Sequence, residues 1–226
     1  MTDARYTPVA DHALLISFAS EISDAAHQKV IALDQALADD PPPGLLEAVP
    51  AMVNLLIDFD PLITDHTALQ ASVETQVQSL KPQALRRATR RVQVCYDAPF
   101  APDLPAVARA TGLSEDAVIN AHLAGDYQVL MYGFAPGYAY LGGVPDPIQV
   151  PRKPVPLRDV PAGSVIIAGP QCLITTLTMP TGWSIIGRSP TRVLTDDPDH
   201  PFLFDIGDRV MFERISADQL AGGPHG

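Results

Sequence analysis

The stretch that decides the fold runs from Ser164 to Ile186 and reads Ser-Val-Ile-Ile-Ala-Gly-Pro-Gln-Cys-Leu-Ile-Thr-Thr-Leu-Thr-Met-Pro-Thr-Gly-Trp-Ser-Ile-Ile. Short apolar runs alternate in it with Gly and Pro, a pattern typical of short strands joined by tight turns. Further strand-like runs are Val92 to Tyr96, Tyr127 to Tyr132, Arg192 to Leu194 and Arg209 to Arg214. Many short strands with such turn signals predict a closed β-barrel.

Two short helices precede most of these strands, from Asp103 to Ala110 and from Ser114 to Ala124. Ser114 is the candidate N-cap of the second, and the acidic residues Glu115 and Asp116 favour its first turn. The sequence from residue 85 to residue 216 is therefore interpreted as one barrel domain with a small helical part. We expect the last residues, 217 to 226, to form a C-terminal tail.

The N-terminal part has a different pattern, in which helical spacing separates apolar runs. The predicted elements are a strand at Ala13 to Ala19, a helix at Ser23 to Ala38, strands at Leu45 to Val49 and Val53 to Phe59, and a helix from Thr64 to Leu80. This order is typical of a split βαβ unit, so residues 1–84 are predicted to be a small ferredoxin-like α+β domain. Arg86, Arg87, Arg90 and Arg91 follow as a basic run, interpreted as a solvated linker.

Composition limits the functions that this chain can have. The 226 residues include 23 Pro and 15 Gly, which favour an α+β or mostly β architecture. A net charge of −11 argues against a nucleic-acid partner. There is no leader-like or membrane-spanning run, so we expect a cytoplasmic protein without a membrane partner. The two cysteines and six histidines have no metal-site spacing, so neither a metal nor a disulfide is predicted.

An aromatic segment, Met131 to Gly143, is the best candidate for a site. Its rings Tyr132, Phe134, Tyr138 and Tyr140 recur at even spacing, interrupted by Pro136 and Gly137. In an extended backbone this spacing places the rings on one side, where they either fill a core or line a ligand surface.

The charge distribution adds a second signal. Between Gln149 and Arg192 the chain carries five basic residues and one acidic residue, in a protein that is strongly acidic overall. If this stretch meets the aromatic segment, the result is a positive, ring-lined pocket for a carboxylate or a phosphate. The alternative, for any single arginine, is a surface ion pair with Asp or Glu.

Few residues offer chemistry of their own. His122 either acts on a substrate or packs and caps its helix. Trp183, the single tryptophan, either fills a core or contacts a ligand. Ser164 is not in a nucleophile elbow, and none of the three lysines is in a Walker-type loop.

Taken together, several motifs resemble the family of the 5-oxoprolinase B-subunit, also described as allophanate hydrolase subunit 1 or the Kip kinase-inhibitor family. They are the segment Gly133 to Gly143, then Pro151-Arg152, Val160 to Ser164, Ile167 to Gly169 with Gln171, Gly182-Trp183 and Ile186 to Pro190. The resemblance spans most of residues 90–215. It implies a small N-terminal α+β domain followed by a cyclophilin-like β-barrel.

The resemblance also implies a function and a set of site residues. Family members act with two further proteins, a homologous C-subunit together with an A-subunit, to open the lactam 5-oxoproline to glutamate, driven by ATP. ATP is thus expected at the level of a hetero-oligomeric complex, and this chain is expected to be inactive alone. Arg152 and Arg188 are implied to hold a carboxylate or a phosphorylated intermediate, with His122 as acid or base. The implied substrate contacts are Phe134, Pro136, Gly137, Tyr138, Tyr140, Ser164, Gln171 and Trp183.

The sequence departs from the family pattern at three places. Leu173-Ile-Thr-Thr176 stands where the family usually has Gly-Ile-Tyr-Pro, Pro180-Thr-Gly-Trp183 replaces Pro-Gly-Gly-Trp, and Asp159 stands where an arginine is typical. A different lactam or amide substrate therefore stays open. Two other functions are also compatible with the resemblance: inhibition of a sensor histidine kinase, which predicts an exposed apolar face, and a role in an allophanate or urea-processing system.

Overall fold

A computed structural model describes residues 4–80 and 88–222 of the chain. The chain divides into two compact units, Met1–Arg86 and Arg87–Gly226. Each unit has its own core of buried apolar side chains.

The described residues of the first unit, 4–80, form four strands and two helices. They are β1 (Arg5–Val9), β2 (Ala13–Ser17), α1 (Asp24–Asp39), β3 (Leu45–Ala51), β4 (Asn54–Phe59) and α2 (His66–Ser79). The helices begin where side chains can cap them: the Ser23 hydroxyl accepts from the backbone N–H of Ala26, and the Asp65 carboxylate accepts from that of Ala68. Both predicted helices are confirmed.

The four strands form an antiparallel sheet in the order β1, β2, β4, β3. Buried side chains of β2 and β4 alternate along the strands and meet the apolar faces of α1 and α2. The predicted strand, helix, strand, strand, helix order is present, preceded by the additional strand β1. The ferredoxin-like assignment of this unit stays a prediction.

The second unit holds the remaining elements. Its strands are β5 (Thr89–Cys95), β6 (Tyr127–Tyr132), β7 (Ala139–Gly142), β8 (Leu157–Val160), β9 (Ser164–Ala168), β10 (Gln171–Ile174), β11 (Met179–Thr181), β12 (Ser184–Arg188) and β13 (Arg209–Ile215). Its helices are α3 (Leu104–Thr111), α4 (Glu115–Leu123) and α5 (Ala217–Ala221), with a 3₁₀ turn at Asp146–Ile148. Ser114 caps α4, as predicted.

Seven of these strands close into a barrel in the order β6, β13, β5, β12, β9, β10, β7 and back to β6. All neighbours are antiparallel except β5 and β13, which are parallel over Thr89 to Cys95. The predicted β-barrel is confirmed, whereas its closer likeness to cyclophilins stays a prediction. The barrel forms because short apolar strands separated by glycine turns pair with both neighbours.

The barrel wall has two buried faces. Val165, Ile167 and Cys172 point into the interior core, whereas the alternate residues Ile166 and Leu173 belong to a second cluster on the outer face. Val160 of β8 and Met179 of β11 pack into that second cluster, so the two-stranded β8–β11 sheet covers this part of the wall.

Three predictions need correction or comment. Arg90 and Arg91 are not in a linker: they lie in β5 and pair with Asp208 and Glu213. Arg86 and Arg87 lie outside the described residues.

The strand predicted at Arg192 to Leu194 is reduced to one bridge between Leu194 and Phe202. The predicted tail begins with α5, because Ser216 and Gln219 form a capping box there.

No helix in the described part of the chain is both long and apolar enough to cross a membrane.

Candidate functional site

An aromatic row crosses the outer face of the barrel. Ring centroids of Phe134 and Tyr138 are 5.4 Å apart, those of Tyr138 and Tyr140 5.9 Å, and those of Tyr140 and Trp183 6.0 Å. The Arg152 guanidinium lies over the Trp183 ring, 5.5 Å from its centroid. These distances are typical of aromatic pairs and of a cation–π contact. The structure thus brings together five of the predicted site residues.

The residues of this row differ in exposure. The Phe134 side chain is on the surface, with 75% of its area exposed, and its backbone has φ of 72°. Tyr138 and Trp183 are buried in the outer cluster, and burial, with repulsion from Tyr140, raises the pKa of Tyr138 to about 12. Trp183 therefore packs in a core and supports Arg152 at the same time.

The fourth ring of the predicted strip, Tyr132, is not in the row. It lies in β6 before the turn, its ring contacts Phe202 at 5.2 Å, and its hydroxyl donates to the Phe204 carbonyl. The prediction that all four rings share one side is wrong, because the turn from Gly133 to Tyr138 separates Tyr132 from the others.

The segment that carries Arg152 is fixed by its neighbour Lys153. The Lys153 N–H donates to the Gly182 carbonyl at 2.6 Å, and its ammonium group pairs with Asp103. The same carboxylate oxygen of Asp103 accepts from the Ile185 N–H at 2.7 Å. Asp103 thus ties the start of α3, the Arg152 segment and β12 together, which orients Arg152 on Trp183.

Arg188 is a partly buried cation without a carboxylate. It ends β12, where its backbone pairs with Ser164 and Cys95. Its Nε is buried without a hydrogen-bond partner, and no ion pair involves it among the described residues. Burial lowers the pKa of the Arg188 guanidinium. A desolvated charge of this kind favours an anionic ligand.

The two predicted anion-binding arginines lie near the two ends of β12. Trp183, under Arg152, immediately precedes this strand, and Arg188 is its last residue. That the two arginines hold one carboxylate or one phosphorylated intermediate stays a prediction.

A cleft of about 320 Å³ lies next to Gly163 and Ser189, both neighbours of Arg188, which is itself not one of the lining residues. It is lined by Ala162, Gly163, Thr175, Thr176, Ser189, Pro190, Thr191, Arg192, Val193 and Leu194. A Cβ on Gly163 would lie 3.3 Å from Cδ of Arg188, so this arginine runs along the back of a residue of the cleft wall. Thr175 and Thr176, two of the residues that depart from the family pattern, line this cleft.

Several predicted site residues shape the loops around the cleft, and their contact with a substrate stays a prediction. The buried Ser164 hydroxyl donates to the Pro161 carbonyl at 2.8 Å, and the Thr175 hydroxyl donates to the same oxygen. The Thr176 hydroxyl donates to the carbonyl of Pro136 at 2.9 Å. Gly137 has φ of +67°, and a Cβ there would be 2.7 Å from Leu194. Pro136, Gly137 and Ser164 thus position the loops around the cleft.

The remaining predicted site residues lie elsewhere. Gln171 is partly buried at the start of β10, where it pairs with Gly142 and shares the outer face with Leu173. His122 is fully buried in the barrel core, 2.8 Å from the Tyr96 hydroxyl and 3.5 Å from the Cys172 sulfur. Desolvation lowers the pKa of His122 to about 3 and raises the pKa of Cys172. This placement favours packing over acid–base chemistry for His122.

The cleft itself was missed by the sequence interpretation. Its wall comes from three segments that are distant in sequence, around Gly163, Thr175 and Ser189. The one available signal was the Ser189-Pro190 pair after Arg188, which predicts a turn at the end of a strand. No group of three or more metal-binding side chains occurs in residues 4–80 and 88–222.

Comparison with known proteins adds to this geometry. The family model described as carboxyltransferase domain, subdomain C and D, matches residues 4–204. The chain is 35% identical to the 5-oxoprolinase B-subunit of Bacillus subtilis (strain 168), over 92% of this chain and 91% of that protein. It is 34% identical to the 5-oxoprolinase B-subunit of Escherichia coli O157:H7, over 94% and 96% of the two chains.

Solved structures have the same fold. The crystal structure of TTHA0988 matches with a TM-score of 0.81 and 35% identity, covering 96% of this chain. This chain spans only 41% of that longer protein. The urea amidolyase of K. lactis matches with a TM-score of 0.79 at 17% identity, over 97% of this chain and 15% of that one, which shows a common fold.

Proposed function

Because this chain belongs to the family of the 5-oxoprolinase B-subunit, we propose that it is the B-subunit of an ATP-dependent complex that opens 5-oxoproline to glutamate. The other members of the complex are a homologous C-subunit together with an A-subunit. The two curated relatives are named as the B-subunit of 5-oxoprolinase and match nearly the whole chain, which supports this assignment.

The observation that carries the proposal is Arg188. A partly buried guanidinium with an unpartnered Nε costs free energy unless an anion is bound next to it. 5-Oxoproline has a carboxylate, and so does its product. A cleft for a small molecule lies next to Gly163 and Ser189, both neighbours of this arginine, and is lined by hydroxyl groups and by small apolar side chains.

The chain binds and orients rather than completing the reaction. Its His122 is held neutral in the core, and burial raises the pKa of the Cys172 thiol, so neither serves as a base or a nucleophile on a bound molecule. Lys153 is occupied by Asp103, and the sequence has no phosphate-binding loop. These residues do not fit a nucleotide. ATP, which supplies the free energy for opening the amide, is therefore assigned to another member of the complex.

Arg152 contacts a different group from Arg188 in this proposal. The exposed Arg152 lies on the buried Trp183, which immediately precedes the strand that Arg188 ends. There it is available to a second anion or to an acidic group of a partner protein.

The experiment that tests the function is 5-oxoproline-dependent ATP hydrolysis by this chain mixed with its two partners, the C-subunit together with the A-subunit. We expect turnover in the full mixture and loss of turnover when any one chain is omitted. Arg188→Gln should lower turnover while the variant still assembles, as checked by size-exclusion chromatography. Activity with allophanate but not with 5-oxoproline would move the assignment to an allophanate-processing system.

A second candidate function, inhibition of a sensor histidine kinase, is favoured by one observation. Leu62 and Ile63 follow β4 at a turn, with 93% and 63% of their areas exposed, and neighbouring apolar side chains of this kind are typical of a protein-binding surface. The test is kinase autophosphorylation with and without the chain. Inhibition that is lost in a Leu62→Ser/Ile63→Ser variant would support this function.

A further inference from the structure

We propose that an apolar tip on the first unit binds a basic, amphipathic helical segment of another protein. The tip consists of Leu46, Leu62 and Ile63, which have 64%, 93% and 63% of their areas exposed. The inference goes beyond the functions proposed above, because it names the chemistry of the bound segment and does not depend on which protein carries that segment.

The three side chains of the tip lie at one end of the antiparallel sheet. There β3 begins beside the end of β4, and the Asp60 N–H donates to the Gly44 carbonyl at 2.8 Å. A Cβ on Gly44 would lie 3.3 Å from Ile63 Cβ, so the segment before β3 is in contact with the segment after β4. Leu46 follows at the irregularity in the β3–β4 pairing. One surface thus presents apolar side chains from two segments.

The turn after β4 holds its apolar side chains in place before any partner binds. The Asp60 carboxylate accepts from the Leu62 N–H at 2.9 Å, and the Asp60 carbonyl accepts from the N–H groups of Ile63 at 3.0 Å and of Thr64 at 3.1 Å. Pro61 restricts the backbone of the same turn. A preformed surface loses little conformational entropy on binding, so its exposed apolar area is available for affinity.

The charge around the tip is strongly negative. From residue 30 to residue 80 the chain has no lysine and no arginine. The same segment has eight acidic residues, which are Asp34, Asp39, Asp40, Glu47, Asp58, Asp60, Asp65 and Glu74. Glu47 is next to Leu46, and Asp60 and Asp65 flank the turn that carries Leu62 and Ile63. This surface repels the phosphates of nucleic acids and of anionic lipids and attracts lysine and arginine.

The apolar and acidic features together define the bound segment. It must cover leucine and isoleucine side chains and place positive charges beside them. An amphipathic helix with leucines on one face and lysines or arginines at the border of that face has both properties. A second copy of this chain is a poor candidate, because two molecules with a net charge of −11 repel each other.

The test uses a dye-labelled peptide about 15 residues long, with leucine at helical spacing and lysine elsewhere. Its binding to the full chain is measured by fluorescence anisotropy. Two matched peptides replace either every lysine by glutamate or every leucine by serine. We expect the leucine–lysine peptide to bind at least about tenfold more tightly than either matched peptide, because each loses one of the two complementary features.

A variant of the tip tests where this peptide binds. Leu62→Ser/Ile63→Ser should weaken its binding at least about tenfold, because the apolar contact is lost. Val155→Ser is the matched control, since Val155 is 73% exposed but lies in the second unit. It should change the affinity less than about twofold. Thermal unfolding curves check that both variants are folded.

A second variant tests the charge. Glu47→Gln should weaken binding of the leucine–lysine peptide about twofold to threefold, and raising the salt from about 50 to about 500 mM should weaken it further. Glu115→Gln, which neutralises an exposed acid on α4 in the second unit, is the control and should leave the affinity unchanged.

Four outcomes would overturn the inference. They are absence of binding of the leucine–lysine peptide, equal affinity for the lysine and glutamate peptides, equal affinity of the wild-type and Leu62→Ser/Ile63→Ser chains, and dimerisation of the wild-type chain that this double variant abolishes. Sedimentation velocity measures the dimer. Peptide binding at the tip without inhibition of a kinase would support the inference and remove the second candidate function. Kinase inhibition that the double variant leaves intact would place the kinase elsewhere on the chain, and peptide binding would still decide the inference.

Discussion

At the residue scale, His122 lies in an environment far from water. It is fully buried against Tyr96, Tyr127, Cys172 and Phe212, and desolvation lowers its pKa to about 3. An unfolded chain binds a proton at His122 near pH 6.5, whereas the folded chain does so only near pH 3. The stability that depends on neutral His122 is therefore complete above pH 6.5 and is lost as the pH falls.

We predict that acid weakens the fold through this residue. From linkage, a single histidine of this kind removes about 2 kcal/mol of the free energy of unfolding at pH 5. In His122→Gln, the slope of the free energy of unfolding against pH should be smaller by nearly one proton between pH 6 and pH 4.5. This holds whatever the substitution does to stability at neutral pH. Urea unfolding at a series of pH values measures both slopes. His200→Gln, an exposed histidine, is the control, and an unchanged slope in His122→Gln would show that the residue does not titrate as described.

The sequence could identify Arg188 as a candidate site residue, but not its burial or whether its charge is paired. Its place after an apolar strand and before Ser189-Pro190 was visible, and the resemblance supplied a role. Whether its charge is paired depends on side chains from distant parts of the chain, which periodicity does not report. The same limit applies to His122, for which packing and catalysis predict the same residue type at the same place on a helix.

At the element scale, the turn before β9 determines the shape of the cleft. Gly163 and Gly169 stand at the two ends of this strand, both with positive φ, but a Cβ on Gly169 would meet nothing within 4 Å. Gly169→Ala should cost about 1 to 2 kcal/mol, the price of a left-handed backbone. Gly163→Ala should cost about 1 to 3 kcal/mol more, because its Cβ overlaps the Ser189 carbonyl. Equal unfolding free energies of the two variants would contradict the described turn.

Asp103 provides a prediction about how α3 is joined to β12. Its carboxylate binds Lys153 and the Ile185 N–H, and both ionic groups are mostly buried. Asp103→Ala should destabilise the chain by about 2 kcal/mol or more, because Lys153 loses its partner. The same substitution should also free the segment that carries Arg152 and shift the fluorescence emission maximum. Because Trp183 is the single tryptophan, this emission reports on its surroundings. Asp126→Ala, which removes an exposed pair with Arg209, should change neither quantity by more than about 1 kcal/mol or a few nanometres.

Sequence patterns predicted the longer elements well and the shorter ones poorly. α1, α2 and α4 have capping side chains at Ser23, Asp65 and Ser114, and β6 has the predicted bounds, Tyr127 to Tyr132. The strands that were missed are β1, β7, β8 and β11, which have three to five residues. Pro8, Pro180 and Gly142 lie inside three of them, and these residues weaken any strand prediction.

At the scale of the whole molecule, the buried apolar residues form separate cores in the two units. Leu55 is fully buried in the first unit, whereas Trp183 is in the second. We predict that Leu55→Ala removes about 2 to 5 kcal/mol of stability from the first unit. In this variant, unfolding of the first unit should be detected by far-UV circular dichroism at a lower urea concentration than the change in Trp183 fluorescence, which reports on the second unit. Coincident transitions would show that the two units unfold together.

The parallel pairing of β5 with β13 has a consequence for how this protein is made. β5 is the first strand of the barrel unit and β13 the last, and they pair along all seven residues from Thr89–Arg209 to Cys95–Ile215. On the ribosome, β5 emerges long before its partner exists, so the barrel can close only after residues 209–215 have been translated. A nascent chain cut short before residue 209 exposes an unpaired β5 edge, which makes premature termination products targets for chaperones and proteases.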